Sequence, residues 1–144
     1  MQQDTIINSE ITTVKADFWI SAKTLNFDSI TNAMGMSPDE IQKKEDIKAE
    51  EFKKDSWCLS TGHEQSDDIE VQMSKIQERL RDKINVLSQI LLEYNAECGL
   101  NIVVNIYNGE FPLLVFSRET MKFWARINAE VGFDMYFMSD YEET

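Results

Sequence analysis

Apolar and polar residues alternate from Thr12 to Ala22, where Val14, Ala16, Phe18 and Ile20 are interleaved with Lys15, Asp17, Trp19 and Ser21. Successive strand side chains point to opposite faces, so the pattern predicts a half-buried strand. A short helix is predicted over Asn26 to Met34, with Asn26 or Asp28 as N-cap and Gly35 where a helix ends in a left-handed turn. Ser37-Pro38-Asp39-Glu40 then carries the parts of a new helix start: a cap, a proline at the first helical position and a glutamate reaching back. From Gln42 to Asp55 charges of both signs dominate and only Ile47, Ala49 and Phe52 are apolar, which predicts a solvated surface segment. Strand character resumes at Ser56-Trp57-Cys58-Leu59-Ser60 and ends at Thr61-Gly62-His63.

After a polar loop, Glu64 to Asp68, the residues Ile69, Met73, Ile76, Leu80, Ile84, Leu87, Leu91 and Tyr94 recur at spacings of three and four. They make one apolar stripe on a long helix, expected to cover a sheet, with Gly99 just past its end. Leu100 to Tyr107 alternates again, and Asn108-Gly109 is a tight-turn signal. A hairpin is therefore predicted, its second arm Leu113 to Phe116 entered through Pro112. Ser117 can cap a last helix, Arg118 to Asn128. The final strand, Val131 to Met138, places Val131, Phe133, Met135 and Phe137 on one face and Gly132, Asp134, Tyr136 and Met138 on the other. The order predicts an α+β fold: a mainly antiparallel sheet with helices packed on one face, a ferredoxin-like relative. A single domain is expected over residues 1–144, with 1–11 a flexible N-terminal segment and 139–144 an acidic C-terminal tail.

Phe27-Asp28-Ser29-Ile30 leading to Met34-Gly35-Met36-Ser37-Pro38, then Ser56-Trp57-Cys58-Leu59-Ser60, and finally Phe133-Asp134-Met135-Tyr136 give the chain a resemblance. It resembles a family of small bacterial proteins known as domain of unknown function 4279. The resemblance implies a cytosolic α+β domain without an assigned reaction, and it carries over no catalytic residue.

Charge changes the picture most: 26 acidic against 14 basic residues give a net charge of −12. Such an excess opposes binding to nucleic-acid phosphates and favours encounter with a basic partner. No basic leader, apolar leader or membrane-length run opens the chain, so a cytoplasmic protein with no membrane contact is expected. Cys58 and Cys98 are expected to be reduced packing residues.

Candidate chemistry is sparse. His63 is the only histidine, and with Cys58 and Glu64 it matches no usual zinc spacing, so no metal site is assigned. The glycines at 35, 62, 99, 109 and 132 form no phosphate-binding loop, and no cofactor is expected. With no catalytic residue assigned, a non-enzymatic role is expected. If the apolar strand faces meet the helices, Asp17, Trp19, Asn105, Tyr107, Asp134 and Tyr136 share the opposite face. Tyr and Trp bury large area at little rotamer cost, and carboxylates beside them select Lys and Arg. The expected function is an immunity protein that neutralises a basic cognate toxin, secreted or contact-dependent; this face would alternatively pack in a homodimer. Two further readings are a small-molecule or regulatory module with a pocket lined by Trp57, Met73, Trp124 and Phe133, and a DNA mimic with carboxylates at phosphate-like intervals.

Overall fold

Strand β1 (Thr13–Ala22) forms where the alternation predicts it and becomes the centre of the sheet, because Val14, Ala16, Phe18, Ile20 and Ala22 are all buried. The computed structural model describes residues 10–138, so the expectations for the acidic tail and for all but the last two residues of the N-terminal segment lie outside the described residues. Helix α1 (Phe27–Met34) is capped by Asn26, whose side-chain oxygen accepts from the Ser29 N–H at 3.1 Å, and ends at Gly35 with φ +69°. Both signals are local, and both act as predicted.

The helix expected from Ser37-Pro38 does not form. Strand β2 (Glu40–Gln42) stands there and pairs antiparallel with β3 (Asp55–Ser60). Asp39 decides this: its N–H donates to the Cys58 carbonyl at 2.8 Å, while its carboxylate accepts from the Ser60 N–H at 2.8 Å and from Arg79 at 3.0 Å. A side chain that could have capped a helix instead clamps the chain to β3. Residues 43–54 come next as two 3-10 turns, Lys44–Asp46 and Glu50–Phe52, on the surface as predicted. The two-residue strand β4 (Glu64–Gln65) then pairs with Thr13 and Val14 of β1, inside the stretch expected to be loop.

The predicted long helix is two. Helices α2 (Ile69–Leu80) and α3 (Ile84–Tyr94) are joined by a 3-10 turn at Arg81–Lys83, where Lys83 leaves helical geometry at φ −116°, ψ 12°. The polar triplet Arg81-Asp82-Lys83 interrupts the apolar stripe, and a 3-10 turn shifts its phase. Ile69, Met73, Ile76 and Leu80 are buried on α2, but on α3 the buried pair is Leu87 and Ile90, not Ile84 or Leu91. Asn95, at φ +50°, caps α3, so Gly99 is not the helix end but lies inside β5 (Glu97–Tyr107).

Asn108 (φ +56°) and Gly109 (φ +69°) do make a tight turn, closed by the Glu110 N–H to the Tyr107 carbonyl. No hairpin forms after it, since β5 is flanked by β1 on one side and by β6 (Glu130–Met138) on the other. The segment after the turn runs to the start of α2, where Leu113 N–H donates to Asp67 and Leu113 accepts from Ile69. Helix α4 (Arg118–Arg126), capped by Ser117, then carries the chain over to β6, which pairs parallel with β5. A helix is the usual crossover between parallel neighbours.

The sheet is mixed, in the order β2-β3-β1-β5-β6 with β4 beside β3 on β1, and is antiparallel except for β5–β6. The α+β class with a mainly antiparallel sheet is thus the one predicted. The buried side chains form one apolar cluster under the helices. Trp57, Met73 and Trp124, which the small-molecule alternative places around a pocket, are buried in this cluster, whereas Phe133 stacks on Phe116 at the sheet margin.

Two surface carboxylates pin the margins and set an acid response. Burial raises the Asp39 carboxyl, but Ser60 and Arg79 outweigh it and hold it below the ordinary 3.8; Lys75, then Gln72, hold Glu64 below 4.5. A depressed carboxyl contributes stability that is complete above its unfolded value and is lost as pH falls through its folded value. Loss therefore begins below about pH 4.5. The double change Asp39→Asn, Glu64→Gln is expected to make the acid limb of a urea-denaturation profile shallower, by a small margin because both groups are partly exposed.

Candidate functional site on the open sheet face

Because strand side chains alternate, burying the even residues of β1, β5 and the odd residues of β3 turns the rest to the other face, and among the described elements no helix covers it. Register then decides who meets whom. Trp19 lies between Cys58 and Gly99, with Glu40 and Glu130 next outward; Asp17 lies between Ser60 and Asn101, with Gly132 beyond. Val103 is opposite Asp134, Asn105 opposite Tyr136, and Tyr107 opposite Met138. All six residues singled out from the alternation, Asp17, Trp19, Asn105, Tyr107, Asp134 and Tyr136, therefore share this face.

They divide into two ends. Trp19 is opposite Gly99 and Tyr107 is eight residues further along β5, about 26 Å at strand rise. At the first end is a depression of about 310 Å³ lined by Asp17, Trp19, Glu40, Cys58, Asn101, Glu130 and Gly132. Its shape depends on glycine. A Cβ on Gly99 would stand 2.4 Å from Trp19 Cζ2 and 2.7 Å from Cε2, so the indole lies directly on the bare backbone of β5. At the second end Tyr136 is 52 % exposed beside Asn105.

Electrostatics favour a cation in the depression. Asp17, Glu40 and Glu130 converge there without a lining Lys or Arg. Lys15 reaches one oxygen of Asp17, Oδ2, at 3.3 Å, while Oδ1 is out of solvent and has no hydrogen-bond partner. A buried carboxylate oxygen left without a partner costs free energy. Asp134 is held in place by Asn101, whose Nδ2 donates to its Oδ2 at 2.7 Å.

The remaining titratable groups do other things. Burial, then the charges of Glu40 and Asp17, push the Cys58 thiol up to about 12, so it is no nucleophile at neutral pH. Cys98, pushed up to about 12 by burial, faces the core and donates to the Ile127 carbonyl at 3.5 Å. Both cysteines are free, on opposite faces of the sheet. His63 is exposed, with Nδ1 3.3 Å from Thr13 Oγ1. Among the described residues no three His, Cys, Asp or Glu side chains are placed to hold a metal ion. The acidic run before α2 is employed locally: Glu64 binds Gln72 and Lys75, Asp68 caps α2, and Glu70 accepts from the Ser117 N–H.

Sequence reading missed Glu40, Cys58, Asn101 and Glu130. Glu40 lies in a stretch that reads as helix, Glu130 one residue before the predicted last strand, and the role of Gly99 requires the β1–β5 register. A signal exists for Asn101, which alternates in phase with Asn105 and Tyr107. On the helical side, Arg81, Lys122 and Arg126 line a groove with Asp82 and Glu119, so the charge there is mixed.

In comparison with known proteins the chain matches the family described as domain of unknown function (DUF4279) over residues 12–138. No curated protein and no solved structure matches the chain. Among the described residues no helix is long and apolar enough to cross a membrane.

Proposed function

Starting from a chain that belongs to the domain of unknown function 4279 family, we propose that the open sheet face is a docking surface for a basic protein and that the domain acts by binding, without catalysing a reaction. The observation that carries this reading is the depression walled by Trp19 and ringed by the carboxylates of Asp17, Glu40 and Glu130, with no Lys or Arg in its lining. An Arg or Lys head placed there meets carboxylates on three strands beside the indole of Trp19, a ring type that attracts cations through its quadrupole. The net charge of −12 supplies steering over longer range. An immunity protein that covers the basic surface of a cognate toxin is the biological role these features fit best, in the cytoplasm where such a toxin would act.

The experiment is affinity capture from the native host with wild type and with Trp19→Ala, followed by titration of the captured protein. The reading expects one basic partner, toxic when expressed alone and neutralised on co-expression. Trp19→Ala is expected to weaken the complex by about 2 kcal/mol, close to 30-fold, as for a buried aromatic anchor. Gly99→Ala, which must tilt the indole off β5, is expected to weaken it in the same sense while Trp19 remains present. Binding indifferent to both changes, in variants that keep the wild-type circular dichroism, would sink the proposal.

A further inference from the structure

The two margins of the sheet are built differently. On one side β2 is three residues long and β4 two, both carrying Glu, the short charged form in which natural sheets blunt an edge against pairing. On the other side β6 runs nine residues with no proline and no lysine, and among the described residues no strand pairs with its outer side. Its backbone donors and acceptors on that side are a ready template.

The side chains flanking that edge are sorted by face. Toward the helices, Phe133 is 40 % and Phe137 68 % exposed, and Phe137 packs edge-on against Phe111 at 5.6 Å, extending the apolar margin into the loop with Leu113. Toward the open face stand Asp134 and Tyr136, continuous with the docking surface above. From Glu130 onward the acidic residues are Glu130, Asp134, Asp140, Glu142 and Glu143, and there is no Lys or Arg. The cations of α4, Arg118, Lys122 and Arg126, belong to the opposite layer.

We infer that β6 accepts an extended segment of the basic partner as an added strand, one that alternates basic residues toward Asp134 and Tyr136 with apolar residues toward Phe133 and Phe137. Strand addition draws affinity from main-chain hydrogen bonds and specificity from alternate side chains. A second copy of this chain is disfavoured as occupant, because it would bring another net −12 to a strand that carries Glu130 and Asp134 and no Lys or Arg. The inference rests on the reading of this protein as a binder of basic proteins, but names a different part of it.

The test uses the full chain, labelled with nitrogen-15, and a blocked peptide of alternating Lys and Val as long as β6. Its partner probe carries the same side chains with alternate backbone amides N-methylated, which removes ladder donors and leaves charge unchanged. Expected are amide shifts along Val131–Met138, a loss of affinity of about tenfold or more on N-methylation, and a similar loss in Phe137→Lys. Shifts confined to the surroundings of Asp17 and Trp19, unaffected by methylation, would overturn strand addition while leaving the open-face reading intact. Concentration-dependent β6 shifts without peptide, matched by a dimer in sedimentation, would assign the edge to a second copy and overturn it too. So would binding that emerges only after residues 1–9 are removed, which would give the edge to the chain itself. No shift anywhere at low salt also overturns it, and the capture experiment then judges the open face separately.

Discussion

Trp57→Ala is expected to lower stability by about 3–5 kcal/mol, the range for truncating a large buried aromatic. Trp57 is fully buried in β3 between the sheet and α1, and its indole Nε1 donates to Thr31 Oγ1 of α1 at 3.0 Å. Alanine would leave a void in the core cluster that its neighbours fill only in part, and would remove the donor to the Thr31 hydroxyl. A domain of this size has about 5–15 kcal/mol in total, so Trp57→Ala removes a large share of it. Trp57→Phe separates the two contributions: it keeps most of the apolar bulk, loses the one hydrogen bond, and is expected to cost about 1 kcal/mol for that bond plus a smaller packing loss. Urea denaturation of the three proteins measures both differences; equal stability of wild type and Trp57→Ala would show that β3 is not seated on this residue.

Asp55→Ala carries the second large effect, about 2–5 kcal/mol, through hydrogen bonds that only this carboxylate supplies. Asp55 is a buried charged-type residue at the start of β3, where Oδ2 accepts from the Leu25 N–H at 2.9 Å and Oδ1 from the Lys44 N–H at 2.8 Å. One side chain thereby closes both connections that leave the sheet at this end, β1 to α1 and β2 to the 3-10 turns. Removing it leaves two backbone donors without acceptors. Asp55→Asn retains one acceptor oxygen and turns an NH₂ toward the other donor, so an intermediate loss is expected. Thermal unfolding should rank the three as wild type, Asp55→Asn, Asp55→Ala; an Asp55→Asn protein as stable as wild type would show that the carboxylate does not staple the two connections.

Such long-range ties explain where the sequence was readable. Asn26, Gly35 and Ser117 are capping signals that act within a few residues of themselves, and each does what its local chemistry predicts. The alternation in β1, β5 and β6 likewise assigned faces correctly, and with them the six residues of the open face. Failures came where two local conformations were equally well supported and a distant contact chose. Ser37-Pro38-Asp39-Glu40 suits a helix start or a turn, and the choice falls to Ser60 and Arg79, far along the chain. Asn108-Gly109 turns as its residues demand, but the path of the chain beyond the turn depends on β6 having claimed the side of β5 that a hairpin arm would need. The depression around Trp19 was the least legible element, since it joins strands through register and requires a glycine, Gly99, far from Trp19 in the chain.

Charge and shape act together on the open face, and one kinetic series separates their joint action from mere solubility: the association rate of the captured partner from low to moderate salt, for wild type and for Asp17→Asn/Glu40→Gln/Glu130→Gln. Fast association that falls steeply with salt is expected in wild type, and a slower, much flatter dependence in the triple variant, with dissociation less affected by salt than association. Identical rates and salt slopes for the two proteins would contradict this, and would take the open acidic face out of partner recognition.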